Sequence, residues 1–192
     1  MNVVLISTYE LGHQPFGLTS AAAWLKRASA KVMCQDAAVQ HLDKELLAEA
    51  DLIGYYVPMH TATRIAAQFI PTIKQLNPRA HVVCFGLYAP MNEMYLRKLG
   101  VDTILGGEFE AGLVALYRRL SVVASHPSTA RRSDAAPLTP YPTQSVGGVP
   151  GGMLEPQLEP IISLARQEFI LPDRHTLPHL SKYAYLIRTD GQ

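Results

Sequence analysis

The stretch Leu105-Gly106-Gly107-Glu108-Phe109-Glu110 stands between an apolar run, Val101 to Leu105, and a helical pattern, Leu113 to Val123. Two adjacent glycines at a strand-to-helix junction let the backbone approach another group closely and leave the first N–H groups of the helix unpaired. Glu108 and Glu110 fall near the positive end of the helix dipole, which favours carboxylates. A cofactor laid along the carboxyl ends of a parallel sheet would meet this junction. We therefore predict that Gly106, Gly107, Glu108 and Glu110 belong to a binding site.

Four earlier apolar runs have the same character, and each is followed by a helical pattern. They are Val3 to Ile6, Lys31 to Cys34, Asp51 to Val57 and His81 to Gly86. Runs that are apolar on both faces are typical of parallel strands covered by helices on both sides. Alternation of strands and helices over about 120 residues predicts an α/β fold. We expect a doubly wound five-stranded parallel sheet, flavodoxin-like or Rossmann-like, with strand order 2-1-3-4-5.

The helices between these strands carry start, stop and facing signals. Thr19 or Ser20 is expected to cap the first helix, and Asp43 lies at the start of a short one. Pro71 is expected to kink or split the best-patterned helix, because proline removes a backbone donor. The predicted inward stripes are Ile65, Phe69, Ile73 and Leu76 in that helix, and Leu113, Leu116, Leu120 and Val123 in the last one.

The composition divides the chain of 192 residues into three parts. Residues 1–124 form the α/β domain, and the Pro-, Gly- and Ser-rich residues 125–152 predict a flexible linker. Residues 153–192 form a tail without an independent core. Ile161, Ile162, Ala165 and Phe169 have a spacing that predicts a short amphipathic helix in this tail.

Charge and hydropathy exclude several classes of protein. The net charge is +1 and no long basic stretch occurs, so no nucleic acid is expected as a partner. No apolar run is long enough to cross a bilayer, and the N-terminus lacks the cationic flank of a signal peptide. We therefore expect a cytoplasmic protein without membrane contacts. Cys34 and Cys84 lie far apart in apolar runs and are expected to be buried thiols.

Three further loops are predicted at the same sheet edge as the double glycine. The first contains Gly12, His13, Phe16, Gly17 and Leu18, and has neither the G-x-G-x-x-G spacing nor a phosphate loop. The others contain Pro58, Met59, His60 and Thr61, and Gly86, Leu87, Tyr88 and Met91. His13 is either a metal ligand or a solvated side chain, and His60 and Thr61 either line a pocket or merely begin a helix.

No catalytic set assembles from the sequence. It contains no nucleophile elbow, no Cys/His pair and no spaced metal-binding set such as H-E-x-x-H. The predicted edge loops are rich in Gly, Pro, Met and aromatic residues, a composition that suits a large, flat, partly apolar cofactor. Burial of the apolar loop residues against the chain's own helices is the alternative.

Three stretches carry a likeness to a known family. They are Val4 to Thr8 with Phe16 to Leu18 and Ala23 to Leu25, then Tyr56 to Thr63, and Leu105 to Glu110. Together they resemble the N-terminal cobalamin-binding domain of radical SAM enzymes, in the group with a CUAEP/CCAEP tail. Leu171 to Arg174, with Leu177, Pro178 and Tyr183, is similar to the connector that leads into the radical SAM barrel of such proteins.

This resemblance implies cobalamin as the cofactor. The nucleotide tail of cobalamin would run beside Gly106 and Gly107, and the corrin edge would lie against Tyr88, Met59 and Phe16. The D-x-H-x-x-G signature of domains that ligate cobalt through histidine is broken. Alignment on His13 places Leu11 at the Asp position and Phe16 at the Gly position. His13 is thus a weak candidate for cobalt, and cobalamin is expected base-off.

The chain has no C-x-x-x-C-x-x-C triplet. An iron–sulfur cluster and S-adenosylmethionine are therefore expected only on another domain, a radical SAM domain present in cis or in trans. The rival hypothesis is a receiver-like interaction module without a cofactor. A phosphorylated receiver needs acidic residues at the ends of strands one and three, where this chain has Ser7-Thr8 and Val57-Pro58. A flavin or nucleotide domain would need the phosphate loop that the sequence lacks.

Overall fold

The structure, a computed structural model, describes residues 1–125 and 157–184. The strands are β1 (Asn2–Ser7), β2 (Lys31–Asp36), β3 (Leu52–Tyr56), β4 (His81–Phe85), β5 (Thr103–Gly107) and β6 (Ile162–Ser163). The helices are α1 (Phe16–Arg27), α2 (Lys44–Glu49), α3 (His60–Leu76), α4 (Tyr88–Met91), α5 (Glu93–Lys98) and α6 (Glu110–Ser125). A 3₁₀ turn, Leu180–Lys182, follows in the tail.

All strand pairs are parallel, in the order β2-β1-β3-β4-β5-β6. The predicted α/β fold and the order 2-1-3-4-5 are confirmed, and the sheet gains one strand from the tail. From β1 the chain adds β2 on one side and β3 on the other, so the order of strand addition reverses between β1 and β3. Ligands bind at this switch point in folds of this kind. The carboxyl ends of β1, β3, β4 and β5 therefore share one edge, which we call the rim.

Helices cover both faces of the sheet because the strands are apolar on both sides. Val4, Ile53 and Val82 point toward α2 and α3, whereas Leu5, Val83 and Leu105 point toward α1 and α6. Leu113 and Leu116 of the predicted last stripe are fully buried, but Val123 is 51% exposed. The core thus consists of two apolar layers, one on each side of the sheet.

Several helix predictions need correction. Helix α1 begins at Phe16 after Pro15, and the Thr19 hydroxyl donates to the Phe16 carbonyl inside the helix instead of capping it. Helix α3 is continuous through Pro71, so the predicted split is wrong, since one proline costs the ladder a single hydrogen bond. Its buried stripe is Ala62, Ala66, Ile70 and Ile73, with Leu76 42% exposed. Asp43 does cap α2, accepting hydrogen bonds from two backbone N–H groups.

The predicted amphipathic helix in the tail is wrong. Ile162 and Ser163 form β6 against Gly106 and Gly107, because the free edge of β5 offers unpaired backbone groups there. Residues 164–172 have no regular secondary structure. The predicted linker lies outside the described residues apart from Ser125, which ends α6. Within residues 1–125 and 157–184, no helix has the length and apolarity needed to span a membrane.

Candidate functional site

The rim joins the predicted loops through backbone hydrogen bonds. The Gly86 N–H donates to the Leu105 carbonyl at 3.1 Å, and the Tyr88 N–H donates to the Val57 carbonyl at 3.1 Å. The loops after β3, β4 and β5 therefore form one connected surface. The topology places the loop after β1 at the same edge.

An aromatic cluster fills the floor of the rim. The ring centroids of Tyr56 and Phe85 lie 5.6 Å apart, and those of Phe85 and Phe109 lie 5.0 Å apart. A Cβ on Gly17 would stand 2.4 Å from the Tyr56 ring, so this glycine lets the ring pack on α1. Burial, reinforced by the nearby carboxylates of Glu10 and Glu110, raises the pKa of Tyr56. The crevice between β1 and β3 is thus occupied by a neutral phenol.

The structure divides the predicted cofactor-binding residues into two groups. Leu18 is fully buried in the core, so the prediction that it binds a cofactor is wrong. Gly17 and Gly86 are buried against Tyr56 and Val57. Those that reach the rim surface, wholly or in part, are Gly12, His13, Phe16, Pro58, Met59, His60, Thr61, Leu87, Tyr88, Glu108 and Glu110. Thr61 does not cap α3, whose first residue is His60 after Met59.

Large apolar side chains stand in solvent at this edge. Leu11 is 62% exposed, Phe16 51%, Leu87 67% and Met91 70%. They come from the loop and first turn after β1 and from the loop and short helix after β4. Exposed apolar residues gathered from separate loops are typical of a surface that another molecule covers. Of the two alternatives for Leu87 and Met91, burial against the chain's own helices is therefore wrong.

The double glycine pairs with the chain itself along one side, and Gly106 is buried while Gly107 stays exposed. The Gly106 N–H donates to the Ile161 carbonyl at 2.6 Å, and the Glu108 N–H donates to the Ser163 carbonyl at 2.7 Å. A Cβ on Gly107, whose φ is +65°, would stand 2.1 Å from the Ser163 oxygen. On the other side of the strand, a Cβ on Gly106 would meet the Pro90 ring at 2.2 Å. The close approach predicted for these glycines exists, and the approaching group is β6.

A group of buried acids lies at the ends of β1 and β2. Ser7 and Asp36 are register partners, and Glu10 and Tyr183 interact electrostatically with Asp36. Burial raises the pKa of Glu10, and the neighbouring Asp36 raises it further. Burial also raises the pKa of Asp36 against the opposing hydrogen bond from the Ala38 N–H. The Tyr183 hydroxyl donates to the Asp36 carboxylate, which lowers the pKa of Asp36 against the effect of burial. Among the described residues, one side-chain oxygen each of Ser7 and Glu10 is buried without a hydrogen-bond partner.

The histidines and the cysteines are the residues that could bind a metal or react as thiols. Within the part of the chain that the structure describes, no three His, Cys, Asp or Glu side chains gather as a metal site. His13 and His60 are exposed. Both cysteines are free and buried, and burial raises the pKa of the Cys34 thiol to about 12 and that of Cys84 further. The expectation that both cysteines are buried thiols is confirmed.

Sequence reasoning missed the acids and the aromatic cluster. Glu10 and Asp36 come from different elements, and a buried carboxylate has no local pattern to announce it. The pair Tyr55-Tyr56 at the end of β3 was the available signal for the cluster. Alternation along the strand places Tyr55 on the α3 side and Tyr56 on the α1 side.

No protein-family profile and no curated protein matches the chain. A response regulator from Burkholderia pseudomallei, crystallised with a phosphorylated aspartic acid, a calcium ion and citrate, is 20% identical with a TM-score of 0.40. The alignment covers 68% of this chain and 75% of that one. A flavodoxin-like domain from Synechococcus sp. is 15% identical with a TM-score of 0.42, and covers 68% of this chain and 99% of that one.

Proposed function

We propose that the rim binds a corrinoid, cobalamin, and that the chain serves as the cofactor domain of an enzyme whose catalytic centre lies elsewhere. The observation that carries this proposal is the set of apolar side chains left in solvent there, with Phe16, Leu87 and Met91 all at least half exposed. A corrin ring has a wide apolar edge, and its burial against such side chains is favourable at about 25 cal/mol per Å².

The residues of the rim that are exposed to solvent fit the apolar edge of a corrin ring. Phe16, Met59 and Tyr88 would flank the ring, and Leu87 and Met91 would extend the apolar contact. A bound cobalt centre supplies methyl-transfer or electron-transfer chemistry. The chain's own residues hold the ring in place and exclude water from its edge. No histidine is assigned to cobalt, because His13 lacks the carboxylate that would orient its imidazole.

The double glycine does not fit the remainder of the cofactor while β6 is in place. A nucleotide tail along Gly106 and Gly107 would occupy the position of Ile162 and Ser163, which pair with these glycines. The proposal therefore assigns the corrin edge to the open rim and leaves the path of the nucleotide tail unassigned.

The pairing of the double glycine with β6 also favours a second candidate, an interaction module without a cofactor. In that case the exposed apolar residues would contact a partner protein, and the double glycine would have a purely structural role. A radical SAM domain, in cis or in trans, is the partner that the sequence resemblance implies. Cofactor binding by the isolated chain distinguishes the two candidates.

The test is the binding of hydroxocobalamin to the purified chain, followed by its visible absorption after gel filtration and by equilibrium dialysis. We expect micromolar binding by the wild type and at least tenfold weaker binding by Leu87→Asp, because a carboxylate would be desolvated against the ring. The matched control is Leu76→Asp, another exposed leucine at the carboxyl end of α3 and away from the rim. Absence of binding at 100 µM cofactor, or equal loss in both variants, would contradict the proposal.

A further inference from the structure

Residues 157–184, which we call the strap, run from one edge of the sheet to the other. The strap begins at β5, where the Gln157 side chain acts like the backbone of a pairing strand. Its amide oxygen accepts from the Ile104 N–H at 3.0 Å, and its amide nitrogen donates to the Ile104 carbonyl at 2.9 Å. Glu159 then forms two hydrogen bonds of 2.9 Å with Arg119 of α6. Strand β6 comes next in the strap and pairs with the double glycine.

The middle of the strap crosses the first turns of α6 and α1. Gln167 accepts a hydrogen bond of 3.0 Å from the Ala111 N–H, one of the unpaired donors at the start of α6. The Asp173 N–H donates to the Thr19 carbonyl at 3.0 Å, and the Asp173 carboxylate pairs with Lys26 at 2.6 Å. The strap thus supplies the capping interaction that the double-glycine junction was predicted to leave open.

The end of the strap contacts β2, the outermost strand on the other side of the sheet, and the loop after β1. Thr176 accepts a hydrogen bond of 2.9 Å from the Cys34 N–H, on the outer side of β2. The Ala184 N–H donates to the Gly12 carbonyl at 2.8 Å, and a Cβ on Gly12 would stand 2.9 Å from the Ala184 side chain. Tyr183 is buried beside Asp36. Three of the glycine positions predicted for a ligand, Gly12, Gly106 and Gly107, therefore contact the strap.

The contacts of the strap are largely polar. Ile161 and Leu177 are partly buried against the two apolar layers and Tyr183 is buried, whereas Leu164 (85% exposed), Phe169 (75%) and Leu171 (82%) face solvent. A cavity of about 210 Å³ lies between the strap, α1 and the β5–α6 junction, lined in part by Trp24, Glu108 and Phe169. Segments that bury little apolar surface open at a small fraction of the global unfolding free energy. Release of the strap therefore does not require unfolding of the domain.

We infer that the strap is a displaceable cover of the rim, and that its docking and the binding of a corrinoid along the double glycine exclude each other. This inference rests on the proposed function. It assigns to the strap the role of occupying the backbone of the double glycine until a ligand or a partner domain displaces it. The apparent affinity for the ligand then equals the intrinsic affinity reduced by the fraction of molecules in which the strap is open.

The test is Gly107→Ala in the full chain. The added methyl group would overlap the Ser163 carbonyl, so the backbone of β6 must shift away from β5, and we expect this shift to release the strap. The control is Gly100→Ala, which also has a positive φ, +98°, but whose Cβ would meet only the flexible Lys74 side chain at 3.4 Å. Gln157→Ala removes the side-chain hydrogen bonds between the strap and Ile104, and it changes no residue of the rim.

Docking of the strap has a readout that needs no cofactor. Trp24 is the only tryptophan, and Arg27, whose guanidinium lies 4.8 Å from the Trp24 ring centre, pairs with Glu168 of the strap. We expect Gly107→Ala and Gln157→Ala to shift the Trp24 emission to longer wavelength and to accelerate tryptic cleavage after Arg166 and Arg174. Gly100→Ala should leave both unchanged. Wild-type emission and cleavage in Gly107→Ala would overturn the inference.

Hydroxocobalamin dialysis then separates the two proposals. We expect at least tenfold tighter binding by Gly107→Ala and Gln157→Ala than by the wild type and Gly100→Ala. Equal binding by all four proteins would overturn the competition and leave the proposed function standing. Absence of binding by the strap-released variants would contradict the proposed function and the competition together.

Discussion

The two edges of the same sheet satisfy their buried polar groups in opposite ways. At the amino edge, the Asn77 side chain donates to the Leu47 and Ala50 carbonyls at 2.9 and 2.8 Å and accepts from the Ala80 N–H at 3.2 Å. At the carboxyl edge, one buried side-chain oxygen each of Ser7 and Glu10 lacks a hydrogen-bond partner among the described residues. The amino edge is therefore built for stability, whereas the carboxyl edge sacrifices stability, as functional sites often do.

The largest expected effect comes from breaking the amino edge. Asn77→Ala removes the donor of the buried Leu47 and Ala50 carbonyls and leaves the Ala80 N–H only its 3.3 Å bond to the backbone carbonyl of residue 77. We expect it to lower the free energy of unfolding by about 3 kcal/mol. The measurement is urea denaturation followed by circular dichroism. Asn92→Ala, which removes a single part-buried bond of 2.8 Å to the Tyr88 carbonyl, is the control and should cost about 1 kcal/mol. Equal costs for the two variants would contradict the contrast between the edges.

The sequence was sufficient for the sheet because each strand carries its own signal, an apolar run such as Val3 to Ile6 bounded by turn residues. It failed for β6, since a two-residue strand depends on a partner more than 50 residues away, Gly106. It failed for the start of α1 because Thr19 has the chemistry of a cap but uses its hydroxyl inside the helix. The loops that form the site were predictable from the sequence, but the contacts that the strap makes with them were not.

A smaller effect is expected where the strap meets α6. The Arg119 guanidinium holds the pKa of Glu159 below its ordinary value against the opposing effect of burial. Glu159→Gln removes this charge-assisted pair and should lower the free energy of unfolding by about 2 kcal/mol at pH 7. Glu168→Gln, in the exposed pair with Arg27, is the control and should change it by less than about 0.5 kcal/mol. A Glu159 variant as stable as this control would show that the strap is not held there.

The smallest effect concerns the acids at the carboxyl edge. Burial raises the pKa values of Glu10 and Asp36 above their ordinary 4.5 and 3.8, so folding favours their protonated forms. Their contribution to stability is therefore greatest at acid pH and is lost as the pH rises through the raised values. Asp36→Asn should remove most of this loss, so its advantage over the wild type grows from pH 4 to pH 7. A pH-independent difference would contradict the assignment.

Amide hydrogen exchange of the full chain tests most directly whether corrinoid binding displaces the strap. The Ala111 N–H and the Cys34 N–H donate to Gln167 and Thr176 of the strap, whereas the Ala80 N–H donates to Asn77 at the amino edge. We predict that saturating hydroxocobalamin accelerates exchange of the first two amides at least tenfold and leaves Ala80 unchanged. Bound cobalamin with no change at Ala111 and Cys34 would contradict the account.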